Sequence, residues 1–423
     1  MAKKKIDSDE GFMRELAKET GGEVLDDVET VKYFVDTGSL SINYICSGKF
    51  LGGGIPGGRI TELYGPSSSS KSLLGSNLLF GIQRMGGISI LIDTENAANK
   101  EFIVRASHAD PKKINRYKTV SLEKCFAKIH SIIKFVREKK PNIPVLIVYD
   151  SLSVSPTERE LREVDLPEKF NKAEFKRIVG GKEQPGERAK VCSKELRKLN
   201  GLMEKVNTNC TVVFMNQTRS QIGVMYGNPE TKGGGGNALT FYASLILRTQ
   251  TLKKIEQKIT AKKKRILGVN VRIQNKKNRS YRPFVETDGI KLMFEHGINP
   301  LSGLLSLMLD CKRITIGGKG TFTVNPEYSG GEVVKFKANL EENNVPLDIF
   351  LKCPALLDAS SAQEITDYLE PFQSALSFEN DESIIETSVG DDEEDSISDE
   401  IDEMLENIED DEDEDDESEE DDE

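Results

Sequence analysis

Between two apolar stretches, "RITELYG" and "GGISILIDTE", runs Gly65-Pro66-Ser67-Ser68-Ser69-Ser70-Lys71-Ser72, and no other segment limits the possible folds as strongly. Its spacing is that of a phosphate-binding loop, G-x-x-x-x-G-K-[ST], with Ser70 standing where the second glycine is expected. Such a loop needs a strand before it and a helix start behind it. It also needs a lysine to reach the β- and γ-phosphates and a hydroxyl for Mg²⁺. Gly65 ends an apolar strand pattern, and the leucine-rich stretch from Lys71 to Met85 reads as a helix. With "GGISILIDTE" as the next strand, the order is the βαβ grammar of a parallel sheet. Glycine at the Ser70 position would relieve crowding against a phosphate, and serine is small enough to replace it with modest strain. Taken alone, the stretch fits a serine-rich turn equally well.

Two carboxylates favour the nucleotide reading. "LIVYDS" puts Asp150 at the end of a third apolar strand, where it could support Mg²⁺ together with Ser72. "LIDTE" puts Glu95 just past a strand end, where it could polarise an attacking water. Each acid alone is more often a turn or cap residue. Three such elements in the expected order point to a nucleoside triphosphate site in which Lys71 and Glu95 do the chemical work. "CTVVFMNQT" reads as a fourth strand. "SLILRTQTL" and "ILGVNVRIQN" read as a strand pair with a charged tip, "KKIEQKITAKKKR".

The net charge of −14 conceals two opposite regions. Residues 379–423 hold 28 acidic and no basic residues, so the other 378 residues carry 57 basic against 43 acidic ones. A basic body of this kind suits a polyanionic partner, although surplus lysines can also simply solvate a surface. The acidic tail has too few apolar residues to fold and is expected to be disordered. It either competes with nucleic acid for the body or recruits a basic protein. Six scattered cysteines and three histidines show no ligand spacing, which suggests free thiols in a reducing cytosol and no structural zinc. No apolar run is long enough to span a membrane, and "MAKKKIDSDEGF" lacks the apolar core of a secretory signal.

Candidate nucleic-acid contacts lie in "RSQIGVMYGNPETKGGGGN", Arg219 to Asn237. Arg219 and Lys232 could meet phosphates, and Ile222, Met225 and Tyr226 could wedge between bases or stack on them. Gly233, Gly234, Gly235 and Gly236 would keep the loop pliable up to Asn237. A plain mobile loop remains the alternative. Upstream, Lys190, Lys194, Arg197 and Lys198 form a basic stripe opposite Leu199, Leu202, Met203 and Val206, the pattern of an amphipathic helix. A charged segment, Thr157 to Arg188, leads into it.

The stretches "TGSLSIN", "GGGIPGGRITELYGPSSSSKS", "IDTENA", "VYDS" and "MNQTRSQIGVMYGNPETKGGGGNALTFYAS" resemble the RecA recombinase family from about Thr37 to Pro300. The resemblance implies an α/β fold: a RecA-like P-loop ATPase core with a central, mostly parallel sheet flanked by helices. It implies a small N-terminal helical segment for oligomerisation (1–35), the core (36–292), a small C-terminal α+β domain (293–378) and the acidic tail (379–423). It also implies that Phe102 stacks on adenine, that Gln217 senses the γ-phosphate, and that Lys190 and Arg197 hold DNA. Ile222 would wedge between base triplets, and Lys276 would reach the neighbouring subunit's ATP. The expected cofactors are ATP and Mg²⁺. The expected partners are single-stranded and homologous duplex DNA, further copies of the chain in a helical filament, and single-strand-binding and loader proteins. The expected place is the cytoplasm, or the host nucleoid for a phage protein, since the missing loop glycine resembles the T4 UvsX-like phage branch. The implied activity is DNA-dependent ATP hydrolysis to ADP and phosphate, with strand exchange. A ring-forming helicase and an ATP-gated DNA coat without efficient hydrolysis remain open.

Overall fold

A computed structural model describes residues 9–24, 31–67, 70–95, 100–119, 121–162, 186–205, 209–220, 230–232, 237–260, 263–318, 320–377 and 383–388. Its centre is an eleven-stranded sheet. Six strands in the spatial order Leu245–Lys258, Ile60–Gly65, Cys210–Ser220, Val145–Asp150, Ile88–Asp93 and Ile114–Lys118 run parallel. Ile60–Gly65, Ile88–Asp93 and Val145–Asp150 are buried along almost their whole length because helices cover both faces. Successive residues divide between two cores. Leu91, Val148, Val213 and Met215 face a cluster that includes Leu73, Leu74 and Leu78 of the Lys71–Arg84 helix. Ile92, Tyr149 and Phe214 face the other cluster, with Phe126, Ile129 and Ile133 of Leu122–Lys139 and Leu196 and Leu199 of Glu187–Lys205.

Leu245–Lys258 and Lys264–Asn278 form a long antiparallel pair, so most of the expected charged tip lies in strand. Beyond them the sheet continues antiparallel through Glu286–Met293 to Gly297–Ile298, past residue 292. A separate three-stranded sheet, Ile314–Ile316, Thr321–Val324 and Lys335–Lys337, follows with short helices. Phe322, Phe336, Phe350 and Phe372 of this region share the first core cluster with Leu40 and Ile45.

The acidic tail departs from expectation at its base. Ile384–Ser388 form a strand that pairs antiparallel with 253–257. The reason is geometric. Ile60–Gly65 covers only 245–248 on that side of the long strand and leaves the rest of the edge open. Glu386 accepts hydrogen bonds there from Lys253 Nζ and Asn270 Nδ2, both at 3.2 Å. Residues 379–382 and 389–423 lie outside the described residues. At the other end, the Asp9–Thr20 helix exposes Phe12, Met13 and Leu16. Among the described residues no helix is long and apolar enough to cross a membrane, and no group of three His, Cys, Asp or Glu residues could hold a metal.

Candidate nucleotide site and DNA interface

In an open parallel sheet, ligands bind beyond the carboxyl ends of the strands, where the order of connection reverses. Four strand ends meet there. Gly65 lies opposite Gln217 and Asp93 opposite Asp150. The loop after Gly65 leads to Ser70, whose φ of 62° and ψ of 25° are left-handed. The glycine expected at this position therefore serves backbone handedness as well as close approach, and Ser70 accepts the strain. Ser39, Ser121 and Ser361 each cap a helix through the side chain. Ser70 makes no such bond. This leaves the N-terminus of a 14-residue helix facing the loop uncapped by its own serine. A helix start with inward N–H groups and a positive dipole end suits a phosphate.

Lys71 is buried, and its Nζ donates to the carbonyl oxygens of Gly65, at 3.2 Å, and Pro66. Ser72 Oγ donates to Asp150 Oδ2 at 2.6 Å. The Asp150 carboxyl is pushed up to about 6, first by burial and then by the negative charge of Glu95, with the Ser72 bond opposing both. Asp93, a further contributor, is held by Arg116. A carboxylate that resists ionisation beside other acids, with a hydroxyl at hydrogen-bond distance, is an oxygen donor set suited to Mg²⁺. The residues thus fit both a triphosphate and its metal ion.

Thr94 ties two strand ends together. Its Oγ1 shares its one proton between the carbonyls of Asp150 and Ser151, at 3.1 and 3.0 Å, and accepts from the Ser151 N–H at 2.9 Å. Ser151 Oγ donates to Glu95 Oε1 and lies 2.9 Å from Ser153 Oγ. Gln217 reaches the same group twice: its N–H donates to Ser153 Oγ at 3.3 Å, and its Nε2 to Glu95 Oε1 at 3.5 Å.

The structure therefore brings Gly65, Pro66, Lys71, Ser72, Glu95, Asp150 and Gln217 together. Phe102 is half-buried against the first core, on the Lys100–Ser107 helix, and Lys276 is exposed on Lys264–Asn278. Neither joins the carboxylate network. Ser67 precedes the gap in the loop, and Ser68 and Ser69 lie outside the described residues. Lys190, Lys194, Arg197 and Lys198 are exposed along Glu187–Lys205, with Leu199 and Met203 buried beneath. The backbones of Arg219 and Lys232 belong to a short antiparallel pair, Arg219 opposite Thr231 and Lys232 opposite Thr218. Asn237 opens the Asn237–Tyr242 helix and lines a cleft with Ala189, Ser193 and Phe241. Ile222, Met225, Tyr226 and Gly233 to Gly236 lie outside the described residues. Sequence reasoning passed over Thr94, Ser151, Ser153 and Arg188. The serine at every second position in "DSLSVS" was the available signal, and Arg188 carried none.

A doubly covered parallel sheet with this loop and these acids defines a P-loop nucleotide-binding protein. The family model described as the RecA N-terminal domain matches residues 4–109 and 170–299. Similar curated proteins carry the name Protein RecA. That of Gloeobacter violaceus is 32% identical over 297 residues, 69% of this chain and 71% of the relative. That of Leptospira meyeri is 35% identical over 280 residues, 64% of this chain and 62% of the relative. That of Thermosynechococcus vestitus is 33% identical over 320 residues, 73% and 79%. The chain belongs to the RecA family.

Proposed function

We propose that the chain is an ATP-dependent homologous recombinase. It assembles as a helical filament on single-stranded DNA, pairs that strand with a homologous duplex and exchanges strands. A RecA-type recombinase function follows from family membership. The observation that carries the finer reading is the contact between Gln217 and Glu95. The strand that leads into the Arg219–Asn237 segment ends against a carboxylate beside the phosphate loop. Nucleotide state and DNA grip can therefore bias one another through a few ångströms of structure.

Lys71, which donates to the Gly65 and Pro66 carbonyls, would exchange them for phosphate oxygens. Ser72 and Asp150 would hold Mg²⁺, which when bound neutralises developing charge on the phosphates. Glu95 takes a proton from water as the water oxygen attacks the γ-phosphorus. The bond to the bridging oxygen breaks, leaving ADP and phosphate. Lys190, Arg197, Arg219 and Lys232 would meet the DNA backbone. Ile222, Met225, Tyr226 and the glycine run up to Asn237 would follow the bases. Phe102 would stack on adenine and Lys276 would serve the neighbouring subunit's nucleotide. The apolar face of Asp9–Thr20, exposed at Phe12, Met13 and Leu16, would dock on that neighbour. Residues 1–35 would thus form the oligomerisation segment, 36–292 the core and 293–378 the C-terminal domain. Ser70 in place of the loop glycine, as in the phage branch the sequence resembles, is the ground for reading the chain as a phage-type member acting on DNA in the host cytoplasm, with single-strand-binding and loader proteins as further partners.

The test is ATP hydrolysis with and without single-stranded DNA, followed by strand exchange, with Lys71→Ala as control. Strong stimulation that disappears in the control, together with strand exchange, is expected. DNA binding without hydrolysis would reassign the chain as a DNA coat, and unwinding without exchange as a helicase.

A further inference from the structure

The turn 151–155 joins both DNA-side segments to the nucleotide site. Ser151 and Ser153 are almost fully buried, at 1% and 2% exposure, where a hydroxyl is kept only if it is bonded. A serine hydroxyl has one proton and can accept as well. The proton of Ser151 goes to Glu95, so Ser153 must donate to Ser151 and accept the N–H of Gln217. The bonds then run in one direction: Gln217 N–H to Ser153, Ser153 to Ser151, Ser151 to Glu95. Hydrogen bonds aligned in this way polarise one another. This path ends on the same oxygen, Glu95 Oε1, that the Gln217 side chain approaches at 3.5 Å, the longest bond of the set.

The turn is held from its other side by the helix that carries the basic stripe. Arg188 Nη2 donates to the carbonyl oxygens of Leu152, Ser153 and Ser155 at 3.3, 2.9 and 2.8 Å. Arg188 is the second residue of Glu187–Lys205, whose exposed Lys190, Lys194, Arg197 and Lys198 follow at once. Ser155 is anchored by Tyr149 at 2.7 Å and bonds back to the Ser151 carbonyl at 3.0 Å. The Leu152 N–H donates to the Met215 carbonyl of Cys210–Ser220, the strand that carries Gln217. Asp150 and the whole turn fall between the two segments that the family model matches.

The geometry points to Ser151, Ser153 and Arg188 as positioning residues that couple DNA to the Glu95 carboxylate. A shift of the Cys210–Ser220 strand end moves the Gln217 N–H, and a shift of the basic helix moves Arg188. Either displacement reorients the serine pair and, through it, Glu95. This inference rests on the reading of Glu95 and Gln217 above.

The experiment uses the full chain with Ser153→Ala, Ser153→Thr and Arg188→Lys. It measures kcat and KM for ATP with and without single-stranded DNA, DNA affinity with a non-hydrolysable ATP analogue, and melting temperature. For Ser153→Ala the DNA-stimulated kcat should fall about five-fold, which corresponds to about 1 kcal/mol, the worth of one hydroxyl bond. KM, DNA affinity and melting temperature should stay near wild type, and Ser153→Thr should restore the stimulation. Arg188→Lys, which keeps the charge but replaces the long planar guanidinium, whose Nη2 reaches all three carbonyls, by a shorter ammonium, should lower the ratio of stimulated to unstimulated rate in the same direction. It also keeps the comparison open if Ser153→Ala fails to fold. A ratio that stays at wild type in every folded variant overturns the proposal. So does a loss shared equally by both rates and by the melting temperature. Glu95→Gln separates the two levels. If it still hydrolyses ATP, the reading of Glu95 as base falls. If it is inactive while Ser153→Ala matches wild type, only the serine path falls.

Discussion

Asp150→Asn should stabilise the nucleotide-free protein while removing its use of Mg²⁺. The Asp150 carboxyl is pushed up to about 6 from an ordinary value of 3.8, first by burial and then by Glu95. A folded-state value above the unfolded one means that the native state binds more protons between those limits. Stability therefore falls as pH rises from 3.8 to 6, and the cost is fully present above that. This is the reverse of a salt-bridged carboxylate. Two pKa units are worth about 3 kcal/mol. Asp150 is only partly covered and already accepts a bond from Ser72. Solvent screening therefore brings the expected gain down to about 2 kcal/mol at pH 8.

Asparagine keeps the shape and can still accept the Ser72 hydroxyl, so the difference reports the charge. Thermal unfolding from pH 8 to pH 5 should show the variant melting roughly 4 °C above wild type at pH 8, with the gap shrinking by about half at pH 5. Mg²⁺ with a non-hydrolysable ATP analogue should reverse the order, since only wild type offers a carboxylate to the ion. A variant no more stable than wild type at pH 8 would refute the account of a strained acid held for a cation. A gap of constant size at all pH values would do the same.

Ser70→Gly should leave stability within about 1 kcal/mol of wild type and keep ATP hydrolysis, because relief of the left-handed strain is offset by a freer unfolded chain. Ser70→Val, β-branched at φ 62°, should lose nucleotide binding in a fluorescent-ATP titration. Arg313 bonds the carbonyls of Ala355 and Leu356, pairs with Asp358 at 2.6 Å and lies over the Phe50 and Tyr328 rings. Arg313→Ala should cost about 3 kcal/mol in thermal unfolding, and a loss below about 1 kcal/mol would contradict that buried arrangement. Truncation after residue 378 should tighten single-stranded DNA binding at low salt, with the gain fading as salt rises. Equal affinity at every salt concentration would rule out competition by the tail.

What the sequence discloses and what it hides follow from the range of the interactions involved. Gly65, Lys71, Ser72, Glu95 and Asp150 each stand at the end of an element whose apolar pattern and turn chemistry are local, so their convergence can be anticipated once the sheet is taken as parallel. Ile114–Lys118 is less visible because it is an edge strand with only partial cover, and "INRYK" has no apolar run. Ile384 and Ile385 sit in a 45-residue acidic stretch, and composition there argues against any structure. Their pairing is decided instead by a vacancy more than a hundred residues upstream, where a short strand leaves most of a long one uncovered. Arg188 meets Ser153 across 35 residues, with no periodicity linking the two. The groups proposed to do chemistry were thus legible from their own neighbourhoods, whereas those proposed to transmit an effect between sites are defined only by the partners that the fold delivers. If the serine path carries the coupling, the chain's response to DNA depends on contacts that a motif search would not weigh. Variants at Ser153 and Arg188 would then alter regulation while every motif residue stays in place.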